Sequence, residues 1–218
     1  MGANRGENSP LREAALIIVD VQNDFCPGGS LAVPEGDQVV PVINKLAPLF
    51  PVVVATQDWH PANHCSFQAQ GGPWPPHCVQ GSTGAQLHPA VDRQHITAYV
   101  KKGVLPNKDA YSGFEGTDEA GRTLAELLRQ RGVKEIYVTG LATDYCVRAT
   151  ALDGLKEGFK VHVVTDAVRG VNVKPGDDQR ALEEMRAAGA FLKTSAEILS
   201  GAGVGEAVGA SAYAESPQ

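Results

Sequence analysis

Asp20, Lys102 and Cys146 lie far apart in the chain, but their chemistry is useful in combination. A thiol is a nucleophile once it loses its proton. A carboxylate can accept that proton, and an ammonium group favours the resulting thiolate by charge. A second group lies in the long stretch QDWHPANHCSFQAQGGPWPPHCVQGSTGAQLHP, where Asp58, His60 and His77 supply one carboxylate and two imidazoles. That donor set leaves coordination positions for water or substrate, as a catalytic divalent site requires, and it suits zinc, iron or manganese. His64 is a further ligand candidate. Each residue also has a plainer reading: Asp20 as a cap or loop hydrogen-bond acceptor, Lys102 as a solvated strand end, Cys146 as a small buried hydrophobe, the histidines as polar surface. Cys65 and Cys78 with these histidines offer an alternative, structural zinc site.

The elements around these residues decide between the readings. The segment GLATDYCV, residues 140–147, follows a short apolar strand, KEIYVTG, and precedes helical spacing at Val147, Ala151 and Leu155. It therefore reads as a strand-to-helix turn with Thr143 as N-cap and Cys146 in the first helical turn. Unpaired backbone N–H groups there favour a thiolate and present donors to an oxyanion. AALIIVDV, residues 14–21, is apolar on both faces, as a central parallel strand should be, and reaches Asp20 near its end. Further strands are expected at 51–56, 95–103, 160–166 and in AFLKT. In the strand at 95–103, Lys102 continues the row of Ile96, Ala98 and Val100. Helices are expected over 37–50 with Asp37 as a possible cap, over the stretch capped by Thr117, after Cys146, and in VKPGDDQRALEEMRAAG, with a last turn or short helix in TSAEIL. Strands alternating with helices specify an α/β fold, a mainly parallel sheet with helices on both faces. In such a sheet the strand C-terminal ends line the ligand crevice, which is where Asp20, Lys102 and Cys146 fall.

Composition sets the outer bounds. The 218 residues are 43% apolar and 20% charged, an ordinary globular mixture sufficient for one core. A single domain is expected over 14–199, with a flexible N-terminus at 1–13 and a flexible Gly/Ala-rich tail at 200–218. Net charge is −6 with no basic block, which argues against nucleic acid or an anionic membrane as partner. No apolar run approaches the roughly 20 residues of a membrane span, and MGANRGENSPLRE lacks a signal-peptide core, so a cytoplasmic location is expected. The four cysteines then read as thiols. GAGVG in the tail follows no strand and opens no helix, so it does not read as a dinucleotide site.

VDVQNDFCPGGSLAV at 19–33, TQDWHP at 56–61, WPPHC at 74–78, KG at 102–103, YSGFEGTD at 111–118 and GLATDYCV at 140–147 resemble, in order, the motifs of nicotinamidases, also called pyrazinamidases, within the isochorismatase-like cysteine hydrolases. The resemblance implies a six-stranded sheet in a three-layer α/β/α arrangement and hydrolysis of nicotinamide to nicotinate and ammonia through a cysteine thioester, a step of NAD salvage. It implies Cys146 as nucleophile, Asp20 as base and Lys102 as electrostatic partner. One divalent metal, zinc before iron or manganese, is implied on Asp58, His60 and His77, with His64 where some members place another ligand. A cis peptide between Leu141 and Ala142 is implied, with the N–H groups of Ala142 and Cys146 facing the oxyanion. Phe25, Trp74 and Tyr111 would wall a slot for a pyridine ring, with Tyr145 nearby. Two rivals remain: a cysteine amidase acting on another small amide such as an N-carbamoyl compound, and a non-catalytic metal or ligand sensor on the same scaffold. Isochorismate-type ether hydrolysis needs no cysteine nucleophile and is disfavoured by Cys146. The sequence leaves a homo-oligomeric state open.

Overall fold

The computed structural model describes residues 10–203. Six strands form one sheet: β1 (Ala14–Val19), β2 (Val52–Asp58), β3 (Ala98–Lys102), β4 (Glu135–Leu141), β5 (Lys160–Arg169) and β6 (Phe191–Lys193), in the spatial order β3-β2-β1-β4-β5-β6. Every pairing is parallel. Five helices complete it: α1 (Val39–Leu46), α2 (Leu124–Gln130), α3 (Arg148–Lys156), α4 (Asp177–Ala187) and α5 (Ser195–Gly201).

The central strands are apolar throughout because alternate residues enter different layers. Leu16, Ile18, Val53 and Ala55 pack with Val39, Ile43, Leu46 and Ile198, the inner faces of α1 and α5. Ala15, Ile17, Val52 and Val54 pack with Leu124, Leu128, Ala151 and Met185 from α2, α3 and α4. The three-layer α/β/α expectation is thereby met. The chain runs outward from β1 to β3, then returns to place β4 on the other side of β1. The strand order reverses between β1 and β4, and beyond their C-terminal ends a crevice opens.

Several boundaries differ from expectation. The helix expected over 37–50 is α1 flanked by single 3-10 turns at Gly36–Gln38 and Ala47–Leu49, and no side chain caps it. Thr117 does not cap α2. Thr123 does, in a reciprocal box with Glu126, because only Thr123 has an acidic residue three positions on. The third strand keeps only five of its expected residues. β5 runs on to Arg169 because its register against β4 shifts between Val138 and Gly140. The termini expected to be flexible lie mostly outside the described residues, yet Leu11 is buried in the core and α5 carries through Gly201.

Candidate active site

The strand ends deliver their side chains to one point. β1 stops at Val19, and Asp20 takes a left-handed backbone, φ 49°, that turns the chain out of the sheet. Its carboxylate stays behind: Oδ1 accepts the Thr56 hydroxyl at 2.7 Å and Oδ2 lies 2.9 Å from Lys102 Nζ. Lys102, the last residue of β3, also pairs with Asp58, the last of β2, and donates to Ala110 O and Cys146 Sγ, each at 3.4 Å. Asp20 and Lys102 are fully enclosed, and Cys146 is 6% exposed. One ammonium thus touches both carboxylates and the sulfur. β1 and β4 approach closely enough here that a Cβ on Gly140 would lie 2.1 Å from Val19 O.

Cys146 does not sit in an ordinary first helical turn. Thr143–Val147 forms a single π-type turn before α3, closed by Val147 N–H to Ala142 O at 3.0 Å, and Thr143 caps nothing. The expected thiolate preference at rest is overturned as well. Burial pushes the Cys146 thiol well above its usual range. Lys102 works against that, but the nearby Asp20 and Asp58 carboxylates reinforce it. Burial likewise raises the Asp20 carboxyl against the pull of Lys102. Burial opposes charge on Lys102, yet Asp20 and Asp58 outweigh it and hold the ammonium protonated. The resting state is a protonated thiol beside a carboxylate of raised basicity and a fixed cation.

Beside this trio lie the three expected metal ligands. One donor atom from each of Asp58, His60 and His77 falls within 4.8 Å of the others, and all three residues are buried. His60 Nδ1 is 2.7 Å from Gly103 O and His77 Nδ1 2.8 Å from Pro75 O. A carbonyl only accepts, so each Nδ1 carries the proton and each Nε2 turns a lone pair toward Asp58 Oδ2, at 3.4 and 3.9 Å. Two lone pairs and a carboxylate oxygen facing one point fit a divalent cation, and backbone acceptors on the far ring nitrogens are the usual support for such ligands. Gly103 has to be glycine for this: its φ is 61° and a Cβ would lie 2.4 Å from His60 Cε1.

His64 is not brought into the cluster. Its Nδ1 meets Ser66 Oγ at 2.7 Å and its Nε2 meets Lys108 O at 3.0 Å, so both nitrogens are engaged, and its ring stacks on His60 at 3.9 Å. The alternative cysteine–histidine zinc site does not form either: among the described residues neither Cys65 nor Cys78 joins a group of ligating atoms, and all four thiols are free.

Over the trio lies a cavity lined by Phe25, Trp74, Tyr111, Tyr145, Ala142 and Cys146, with Asp58 and His77 at one side. Trp74 Nε1 donates to the Tyr111 hydroxyl at 3.2 Å and packs edge-on to Tyr145. The lining is that of a small-molecule site: apolar walls and a few convergent polar groups. The Leu141–Ala142 peptide is cis. Sequence reasoning missed Leu31, Val33 and Val171 in the wall, Thr56 behind Asp20, Gly103 beneath His60, and Asp24, whose Oδ2 accepts the Cys78 N–H at 2.8 Å next to His77. Of these, Asp24, Leu31, Val33, Thr56 and Gly103 lie within motifs that carried the resemblance, without a role assigned to them; Val171 carried no signal.

The isochorismatase domain family matches residues 14–197. The chain belongs to that family. Nicotinamidase of Escherichia coli is 48% identical over 203 residues, covering 84% of this chain and 95% of that protein. Among solved structures in the family, pyrazinamidase of Pyrococcus horikoshii in complex with zinc is 49% identical with a TM-score of 0.75, over 84% of this chain and 99% of that one. A protein of L. infantum in complex with nicotinate is 42% identical with a TM-score of 0.80, over 88% and 97%. The described residues contain no helix long and apolar enough to cross a membrane.

Proposed function

We infer that this protein is a metal-dependent amidohydrolase that converts nicotinamide to nicotinate and ammonia, and that also accepts pyrazinamide-like analogues. The observation that carries the reading is the meeting of Asp20, Lys102 and Cys146 beside a two-histidine, one-carboxylate cluster under an aromatic cavity. Family membership and relatives named for this reaction support it.

Asp58, His60 and His77 would hold the ion, which supplies a Lewis-acidic anchor for the substrate's ring nitrogen. Phe25, Trp74, Tyr111 and Tyr145 would sandwich the ring and aim its carboxamide at Cys146, giving the orientation that attack requires. The Cys146 proton passes to Asp20 as sulfur bonds to the carboxamide carbon. Raised basicity makes Asp20 a better acceptor for it. The N–H groups of Ala142 and Cys146 receive the oxyanion. Asp20 returns the proton to the departing nitrogen, the C–N bond breaks, and ammonia leaves a thioester. Water then gives one proton to Asp20 and its hydroxide to the acyl carbon. The C–S bond breaks, the proton on Asp20 restores the Cys146 thiol, and the acid loses its carboxyl proton to water and departs as nicotinate. Lys102 stays charged throughout and fixes both carboxylates. Four free thiols support a reducing, cytoplasmic setting, as recycling of pyridine nucleotides requires. Ammonia release from nicotinamide, assayed before and after chelator treatment and again after zinc is restored, tests the reading. Turnover that chelation abolishes and zinc restores is expected. An N-carbamoyl amine hydrolysed while nicotinamide is left untouched would overturn it.

A further inference from the structure

Gln22 is fully buried and does not line the cavity, yet its side chain makes three hydrogen bonds. Oε1 accepts the Asp58 N–H at 2.9 Å, while Nε2 donates to Asp58 O at 2.8 Å and to Ala85 O at 2.9 Å. The pattern follows from how β1 ends. In the parallel ladder Val19 sits opposite Thr56, and the Asp20 N–H still donates to Thr56 O at 3.2 Å. Regular continuation would have Asp58 N–H donate to Asp20 O and Asp58 O accept from the Gln22 N–H. The left-handed turn at Asp20 prevents this, because the Gln22 N–H instead closes on Asp20 O at 2.8 Å. Both main-chain groups of Asp58 are thereby released on their β1 side, in the interior, where unpaired groups are costly. The primary amide of Gln22 has the same donor and acceptor as a peptide group, and it takes both places.

We propose that Gln22 is a positioning residue for the metal centre: its amide completes the sheet under Asp58, holding that carboxylate where His60, His77 and Lys102 need it while the chain turns away to present Asp20. The proposal rests on the reading of Asp58, His60 and His77 as metal ligands. Its chemistry is general: residues that orient a metal ligand typically change metal affinity about 10–100-fold when replaced. Lys102 constrains the Asp58 side chain from the opposite side, on β3, so removal of Gln22 loosens the ligand without ejecting it.

The test is competitive zinc titration of the full-length holoenzyme against a chromophoric chelator, with three variants. Gln22→Met keeps the volume and removes all three bonds; it is expected to weaken zinc binding about 10–100-fold. Gln22→Glu keeps an acceptor for the Asp58 N–H and serves if the methionine variant does not fold; its loss should lie between wild type and methionine. Thr139→Val removes a buried hydroxyl that donates to Ile17 O at 2.9 Å in the same sheet, far from any ligand. It should lower thermal stability and leave zinc affinity within twofold of wild type. Zinc affinity unchanged within twofold in a folded Gln22 variant overturns the proposal, as does an equal loss in Thr139→Val, which would mark a general softening of the sheet. Wild-type protein that takes up no zinc sinks the metal reading itself, and the proposal with it. That outcome is told apart from the others because it appears before any variant is made.

Discussion

The two rims of one sheet treat charge in opposite ways. At the C-terminal rim β1, β2 and β3 lead into Asp20, Asp58 and Lys102, all buried, two anions sharing one cation beside a thiol. At the N-terminal rim, Glu135 opens β4 and Lys160 opens β5, a pair at 3.2 Å that water reaches on both sides. His162 stands just inside, its Nε2 3.1 Å from Glu135 and its ring stacked on Tyr137. The difference teaches where electrostatic energy is concentrated. Burial makes each charge at the upper rim dependent on its neighbour, whereas solvent screening leaves the lower pairs nearly independent.

The sharpest way to probe the upper rim is Cys146→Ala, which should cut ammonia release on the order of 10⁴-fold or more while zinc content stays at wild-type level. Retention of a tenth of the activity would remove the nucleophile from the scheme. Lys102→Met should come next. It leaves two buried carboxylates without their cation, and urea unfolding of the chelated protein should register a loss of about 3–5 kcal/mol. A loss under about 1 kcal/mol would erase the contrast between the rims, because exposed pairs are worth that much.

At the lower rim the effects shrink. Burial holds the His162 imidazole below its ordinary value of 6.5, against the opposing pull of Glu135, with Lys193 and Lys160 adding to the depression. The unfolded chain therefore takes up a proton below pH 6.5 that the folded one refuses. Stability present above that pH is lost as pH falls toward the folded pKa. His162→Phe should flatten the melting temperature between pH 6.5 and 5, where wild type declines, without altering turnover. A wild-type melting temperature that is level over that range would show the imidazole to be hydrated. Smallest of all is Lys134→Ala, which breaks an ion pair with Glu13 whose partners are 72% and 44% exposed. The unfolding free energy from denaturant titration should move by less than about 0.5 kcal/mol.

Much of this contrast was legible in the sequence, for identifiable reasons. The run at 14–21 reads as a central strand because it offers apolar side chains to both layers, and Asp20 near its end marks the crevice rim; the strand read at 51–56 runs on to Asp58, which the sequence placed in the following loop. Lys102 was separable from Lys101 by period two alone: Lys101 lies over the Trp59 ring and Lys102 points inward. What stayed hidden depends on three-dimensional competition. His60 and His64 are alike in sequence, and only the partners at Gly103, Ser66 and Lys108 decide which one turns a free nitrogen inward. The raised position of the Cys146 thiol reflects burial, with Asp20 and Asp58, outweighing the Lys102 cation, a balance that needs the enclosing residues in place. Gln22 lies within a quoted motif, but its task could not be read there because it arises from a chain turn two residues earlier.

β3 is the outermost strand on its side, five residues long, with only its inner neighbour β2 in the sheet. It nonetheless ends in Lys102, and the next residue, Gly103, seats His60. On its outer side this margin is held by the two backbone hydrogen bonds between Lys101 and Thr117, at 2.9 and 3.1 Å, and local opening there would reach the site without unfolding of the whole molecule. A brief detachment of so short a segment would scatter the cation and unseat an imidazole together, silencing the protein while the rest of its architecture stands.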